Sequence, residues 1–231
     1  MRKSKNTLLL ILFLLCGVVS FGQFNYDGTT ITCAGVTANS TTTLDIDGTD
    51  RVVTAVDNTS IAAKPIGDAD WDCICTTSVT DMSNLFNNKR TFNQDLSRWD
   101  TSNVTDMRQM FIDARAFNQD IAEWDVSNVI NMEAMFRKAH QFNRNISSWD
   151  VSSVINMKDM FSNADRFNNG DATNAASNPL TWNTQSVIDM RGMFFSGVFN
   201  QDIGSWDVSN VDDMSIMFKF TKKFANGGQP M

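Results

Sequence analysis

The residues in this chain that could do chemistry are four cysteines, one histidine and a large excess of aspartate. Cys16 lies in an N-terminal apolar run, which leaves Cys33, Cys73, Cys75 and His140 as soft or nucleophilic candidates. Zinc needs more nitrogen and sulfur ligands than these three thiols and one remote imidazole supply. Covalent catalysis needs a nucleophile beside a base, and the pattern places no Ser or Cys next to His140, which falls at a variable position between Ala139 and Phe142. There is no nucleophile elbow, phosphate-binding glycine loop or paired-histidine helix motif. Two carboxylates acting as acid and base need unlike surroundings, whereas the acids here recur in near-equivalent copies. The expectation is a protein with no catalytic residues.

The aspartates and asparagines do form patterns. Asn93, Asn118, Asn143 and Asn200 hold one phase of a recurring segment, and Asp95, Asp120, Asn145 and Asp202 stand two residues further on. Alternate residues of an extended segment share a face, so these eight would line up as a polar, acidic stripe. One reading is a solvated face whose side chains bond one another. The sharper reading is a recognition surface, able to take Ca²⁺ through carboxylate and amide oxygens. Asp45-x-Asp47-Gly48-x-Asp50 also hints at Ca²⁺, but Asp-Gly between alternating segments is first a hairpin turn signal.

The elements that would hold the stripe come from repetition. All six tryptophans (Trp71, Trp99, Trp124, Trp149, Trp182 and Trp206) occupy one phase of a repeat of about 25 residues. Val79, Val104, Val129, Val154, Val187 and Val211 hold a second column, and Met82, Met107, Met132, Met157, Met190 and Met214 a third. Phe86, Phe111, Phe136, Phe161, Phe194 and Phe218 hold a fourth. A self-similar period of this length signals stacked repeats. Within one repeat, Val104, Met107, Met110, Phe111 and Ala114 step by three and four, which predicts a short helix. Phe117 to Ile121 reads as a short strand. The Trp and Met columns are expected to be core rather than sugar-stacking platforms or soft metal ligands. The insertion Asn168 to Thr181 is expected to loop out.

Residues 1–22 read as a secretory signal peptide: Arg2, Lys3 and Lys5, then an apolar run from Leu8 to Val19, then Ser20-Phe21-Gly22. Without them the chain keeps 16 basic against 26 acidic residues, a balance that repels nucleic acid and anionic lipid. Only Glu123 and Glu133 among the acids are glutamate; aspartate, with Asn, Ser and Thr, favours bonds to nearby backbone in turns. In an exported protein a disulfide is expected from Cys33 to Cys73 or Cys75. Residues 23–70 alternate like strands and read as a β-rich N-terminal cap. Residues 71–231 read as about six coils. Ala225 to Met231 ends them without an evident cap, so the last coil is expected to expose its apolar side, through truncation or fraying.

The unit W-D-V-S-N-V-x-x-M-x-x-M-F-x-x-A-x-x-F-N-Q-D-I, spanning roughly residues 71–226, resembles the repeats of BspA-type leucine-rich-repeat surface proteins of bacteria. The resemblance implies an α/β repeat solenoid, a leucine-rich-repeat-like horseshoe of short parallel strands and short helices. The pattern departs where Gln94, Gln119 and Gln201 stand at expected strand leucines, and where Trp is expected to take the usual Asn-ladder position. The resemblance further implies a secreted or cell-surface scaffold that adheres to a protein or glycan ligand. The alternatives are a structural assembly element and an accessory module of a larger secreted protein.

Overall fold

Short side chains with oxygen at their tips decide the path of this backbone. The computed structural model describes residues 22–173, 176–222 and 224–228; the segment read as a signal peptide lies outside these, apart from Gly22. In three rows an Asp or Asn oxygen accepts the backbone N–H two residues on. The rows are represented by Asp106 to Arg108 (2.8 Å), Asp120 to Ala122 (3.1 Å) and Asp125 to Ser127 (3.0 Å). Each recurs in neighbouring coils, which is what the bias toward aspartate over glutamate serves: the shorter side chain reaches its own turn.

The segment expected to be helical is not a helix. From Met107 to Ala114 the chain makes two successive four-residue turns, closed by Met110 N–H to the Met107 carbonyl at 3.2 Å and Ala114 N–H to that of Phe111 at 3.0 Å. The third residue of each is left-handed, Gln109 at φ 58° and Asp113 at φ 56°. Apolar residues stand first and fourth in each turn. Two turns in a row therefore space them by three, one and three, the same steps a helical stripe shows. The alternate N–H groups point to the next coil: Met107, Gln109, Phe111 and Asp113 donate to the carbonyls of Asn131, Glu133, Met135 and Arg137 at 2.8–2.9 Å. A left-handed non-glycine residue costs about 1–2 kcal/mol, least for Asn and Asp, and these columns hold Asn84, Asn88, Asp113, Asp159, Asn163 and Gly192.

The expected strand is displaced too. Phe117 to Ile121 carries no strand; the parallel bridges run instead from Asp81 to Asp106, Asn131, Asn156, Asp189 and Asp213, just before the turns. Successive coils thus bond in parallel, but through single bridges, because turn conformation on one side and Asx turns on the other leave no run of extended residues.

Two phenylalanines per coil fill the interior. Phe111 and Phe117 stack at 3.9 Å within one coil, and Phe111 meets Phe136 of the next at 5.5 Å. The series continues from Phe86 to Phe218 at 5.3–5.7 Å, close to the spacing of hydrogen-bonded strands. The tryptophans lie alongside: Trp99 and Trp124 are parallel at 6.0 Å. Each indole after Trp71 also reaches back one coil, Trp149 Nε1 donating to the Ile121 carbonyl at 3.0 Å and Trp124 to that of Leu96 at 3.0 Å. These rings are enclosed except Trp206, Phe218 and Phe224, which are half-buried; each enclosed ring contributes roughly 1.5–3 kcal/mol of burial that exists only with neighbours in place.

Ahead of the coils, β1 (Asn25–Tyr26) pairs antiparallel with β2 (Ile31–Thr32). β3 (Thr41–Ile46) forms a hairpin with β4 (Thr49–Asp57) through Asp47 and Gly48, both at positive φ. β4 then pairs in parallel with β5 (Ile74–Ser78), the entry to the first coil. Between them α1 (Asn58–Ala63) starts on a capping box made by Asp57 and Ser60. Lys64, just beyond it, bonds Asp68 and Asp70 and lies 5.4 Å over the Trp71 ring. Of the two pairings left open for Cys33, the structure holds Cys33 to Cys75, while Cys73 is a buried free thiol.

Candidate binding face

The eight residues of the expected stripe divide into two kinds of structural work. Asn93 accepts from the backbone N–H of Asn118, Asn118 from Asn143, Asn143 from Asn168, Asn168 from Asn200 and Asn200 from Ala225, at 2.7–3.0 Å. This is an asparagine ladder, at Asn and not at the tryptophans; the Trp column is core. Asn143 carries a second bond, from Gly170 N–H at 2.9 Å. The oxygens of these Asn side chains are therefore committed to the fold. A signal for the missed rung, Asn168, was in the sequence: Phe167-Asn168 repeats the Phe-Asn pair that begins each return segment.

Asp95, Asp120, Asn145 and Asp202 each use one oxygen for an Asx turn, to Ser97, Ala122, Ser147 and Gly204. Asp95, Asp120 and Asn145 are exposed and Asp202 is half-buried. Each aspartate keeps a second oxygen free of that turn, so the aspartate row, unlike the asparagine row, has chemistry left to offer. Among the described residues no three His, Cys, Asp or Glu side chains converge as a metal site would. In the hairpin, Asp45 accepts from Gly48 N–H, and Asp47 accepts from Tyr26 Oη on one oxygen and Arg98 on the other at 2.6 Å. The Asp-x-Asp-Gly pattern is thus spent on a turn and on tying the hairpin to the second coil.

Part of the aspartate row faces a concavity of about 560 Å³, lined by Asp120, Asn143, Arg144, Asn145, Ser147 and Asn178 among others. The inserted segment forms one wall. Gly170 at φ +81° brings its backbone onto Asn145, where an added Cβ would stand 3.0 Å from the Asn145 nitrogen; only glycine fits this turn and this approach. Asn169, fully enclosed, bonds Ser147 Oγ and the Asn178 carbonyl. Asp171 is also enclosed. Burial raises its pKa, but bonds from the Thr173 hydroxyl and N–H, from Gln201 and from Ser177 N–H outweigh that and hold it at about 2. The insertion is therefore fastened down beside the concavity. Among the described residues Arg144 supplies the one cation of its lining, with Nε on the Asn118 carbonyl at 2.7 Å.

The remaining reactive groups stand apart from this face. His140 Nδ1 lies 2.7 Å from the Asp165 carboxylate of the following coil. Burial pushes the Cys73 thiol up to about 11, with Asp72 adding to the shift, which leaves it a poor nucleophile.

A family described as "Mycoplasma protein of unknown function, DUF285" matches this chain over residues 53–175 and again over 171–229. No curated protein matches, and no solved structure does.

Proposed function

The chain belongs to the DUF285 family, and from that premise we propose that it is a non-enzymatic binding or adhesion scaffold, secreted or displayed at the cell surface. Its architecture is read as a solenoid of the BspA-like kind, in which single parallel bridges, turn-to-turn bonds and an asparagine ladder link successive coils. The ligand is a protein or glycan at a cell or matrix surface. The observation that carries the reading is the aspartate row. Asp95, Asp120 and Asp202 are each locked by a backbone bond on one oxygen; the second oxygen of Asp95 lies 3.8 Å from Arg98, and Asp120, its second oxygen unspent, opens onto a concavity walled by a fastened insertion. Side chains held in place lose little freedom on binding, which favours affinity.

The test uses arrays of glycans and matrix proteins probed with the purified protein. A hit that weakens at least tenfold in Asp95→Asn/Asp120→Asn/Asp202→Asn supports the reading. Asparagine keeps the Asx turns, so the fold stays. A matched control, Arg108→Gln/Lys158→Gln on the turn side, should bind as the parent does. Binding insensitive to the aspartates, or an array with no hit, overturns it.

A further inference from the structure

In two successive coils the residue after the ladder asparagine bonds back to the coil before it. Gln119 Nε2 donates to the Asn93 carbonyl at 2.8 Å, and Arg144 Nε makes the same bond to the Asn118 carbonyl at 2.7 Å. Glutamine spends its amide nitrogen on this bond. Arginine spends Nε alone and keeps both terminal amino groups, which have no partner among the described residues.

The next position departs from the repeat as well. Asp95 and Asp120 precede it and Asp202 follows, but this coil carries Asn145. Its Oδ1 makes the usual turn bond, from Ser147 N–H at 3.0 Å. The fold is served equally, and the difference lies in what is left over: an amide donor in place of a carboxylate oxygen. Asn143, whose Oδ1 is taken by Asn168 and Gly170, also keeps an amide nitrogen with no partner among the described residues. Two adjacent changes thus remove a negative charge and add a positive one, both on the lining of the 560 Å³ concavity.

A second concavity of about 310 Å³ adjoins it, sharing Asp120 and Ala122 and lined also by Asp95 and Glu123. Here the charge is negative. Among the described residues only Asp95 of these three acids has an ion partner, Arg98 at 3.8 Å. The trough therefore turns from positive to negative across one coil, a spacing of 5.5–6.0 Å between stacked rings.

Resting on the binding reading above, we propose that this trough takes the end of a glycan capped by a single carboxylated sugar. The carboxylate lies on the Arg144 amino groups, a planar fork that matches its two oxygens, with the Asn143 and Asn145 amides beside it. Ring hydroxyls donate to the free Asp120 oxygen one coil away. A chain acidic at every sugar is disfavoured, because its next carboxylate meets Asp120 and Glu123. Among the described residues no aromatic or large aliphatic side chain lines the 560 Å³ concavity. That leaves the side chains of a peptide without a pocket and suits a ligand made of hydroxyls, anchored by charge rather than by stacking.

The experiment measures binding of the purified protein to immobilised oligosaccharides ending in glucuronic acid or N-acetylneuraminic acid. It sets these beside their carboxyl methyl esters, neutral and sulfate-capped forms, and a peptide with a free C-terminal carboxylate. The expected result is an acid-capped glycan bound at least tenfold more tightly than its ester. Arg144→Gln and Asn145→Asp should each weaken it at least tenfold, while Lys158→Gln, which removes the same charge on the turn side, should not. Both variants restore the residue that the preceding coil uses for the same bond, so they should melt as the parent does. The ester comparison needs no variant and decides the matter if either fails to fold. Equal binding of acid and ester, equal binding of the sulfate-capped form, capture of the peptide without any glycan, or binding untouched by Arg144→Gln overturns the proposal. Aspartate-dependent binding of a neutral glycan or matrix protein that survives Arg144→Gln sinks this proposal and leaves the scaffold reading standing; an array with no hit sinks both.

Discussion

Replacing one tryptophan of the column by phenylalanine should cost very different amounts depending on which coil it stands in. Trp149 and Trp71 are both enclosed, 3% and 0% exposed, so truncation to phenylalanine removes similar apolar surface, on the order of 1–2 kcal/mol in each case. Their Nε1 groups differ. That of Trp149 donates to the Ile121 carbonyl; that of Trp71 is buried with no partner, because the first coil has no coil before it to supply a carbonyl. Trp149→Phe therefore strands an acceptor in the core, at about 1–3 kcal/mol. Trp71→Phe strands nothing and removes an unsatisfied donor. The expected gap is about 2 kcal/mol or more, with Trp149→Phe the less stable. For a chain of this size that corresponds to roughly 4–8 °C in Tm. Urea unfolding followed by far-ultraviolet circular dichroism measures both. Losses equal to within about 0.5 kcal/mol, or a larger loss at Trp71, would refute the claim that the indole bonds, beyond ring burial, tie coil to coil.

Further expectations concern the ladder, the sulfur chemistry and pH. Asn143→Ala should destabilise by about 2–4 kcal/mol in the same urea assay, since it orphans the N–H groups of both Asn168 and Gly170; Asn93→Ala, with one bond at an exposed site, should cost about 1 kcal/mol. Cys33→Ala opens a link across 42 residues, for which chain entropy predicts a loss of about 4 kcal/mol. In the folded parent Cys73 should resist maleimide labelling for hours, and rapid labelling would contradict its burial. Asp171 has a folded pKa of about 2, below its ordinary value of 3.8. Its contribution is therefore complete above pH about 4 and lost as the pH falls through about 2. Hydrogen exchange across residues 168–180 should quicken in that window, and Asp171→Asn should flatten the dependence.

The columns were legible in the sequence because repetition marks them whatever the local backbone does. Phe111, Phe136 and Phe161 had to meet in register if coils of equal length stack. The conformation between the columns was not legible by the same means. Met107, Met110, Phe111 and Ala114 fit a helix and fit a pair of tight turns equally well, since both bring first and fourth residues to one side. The cue that separates them is the Asn, Asp or Gly at the left-handed positions, Asn84, Asn88, Asp113, Asn163 and Gly192, and it is diluted by Gln109, Ala134 and Ile216 in the same columns. The stripe was half legible. Period two placed Asn and Asp on one face, but spacing alone does not tell an oxygen spent on the next coil from one left over. Arg144, Gly170 and Asn178 had no repeat to announce them.

The rung from Asn168 to Asn200 spans 32 residues and has the same form as the rung from Asn118 to Asn143, which spans 25. The interior does not register how much chain leaves and re-enters between rungs. Stretches of foreign sequence grafted where 172–177 now lie should leave the aromatic columns untouched, so the outer wall of this protein is open to rewriting by selection or by design while its centre stays as it is.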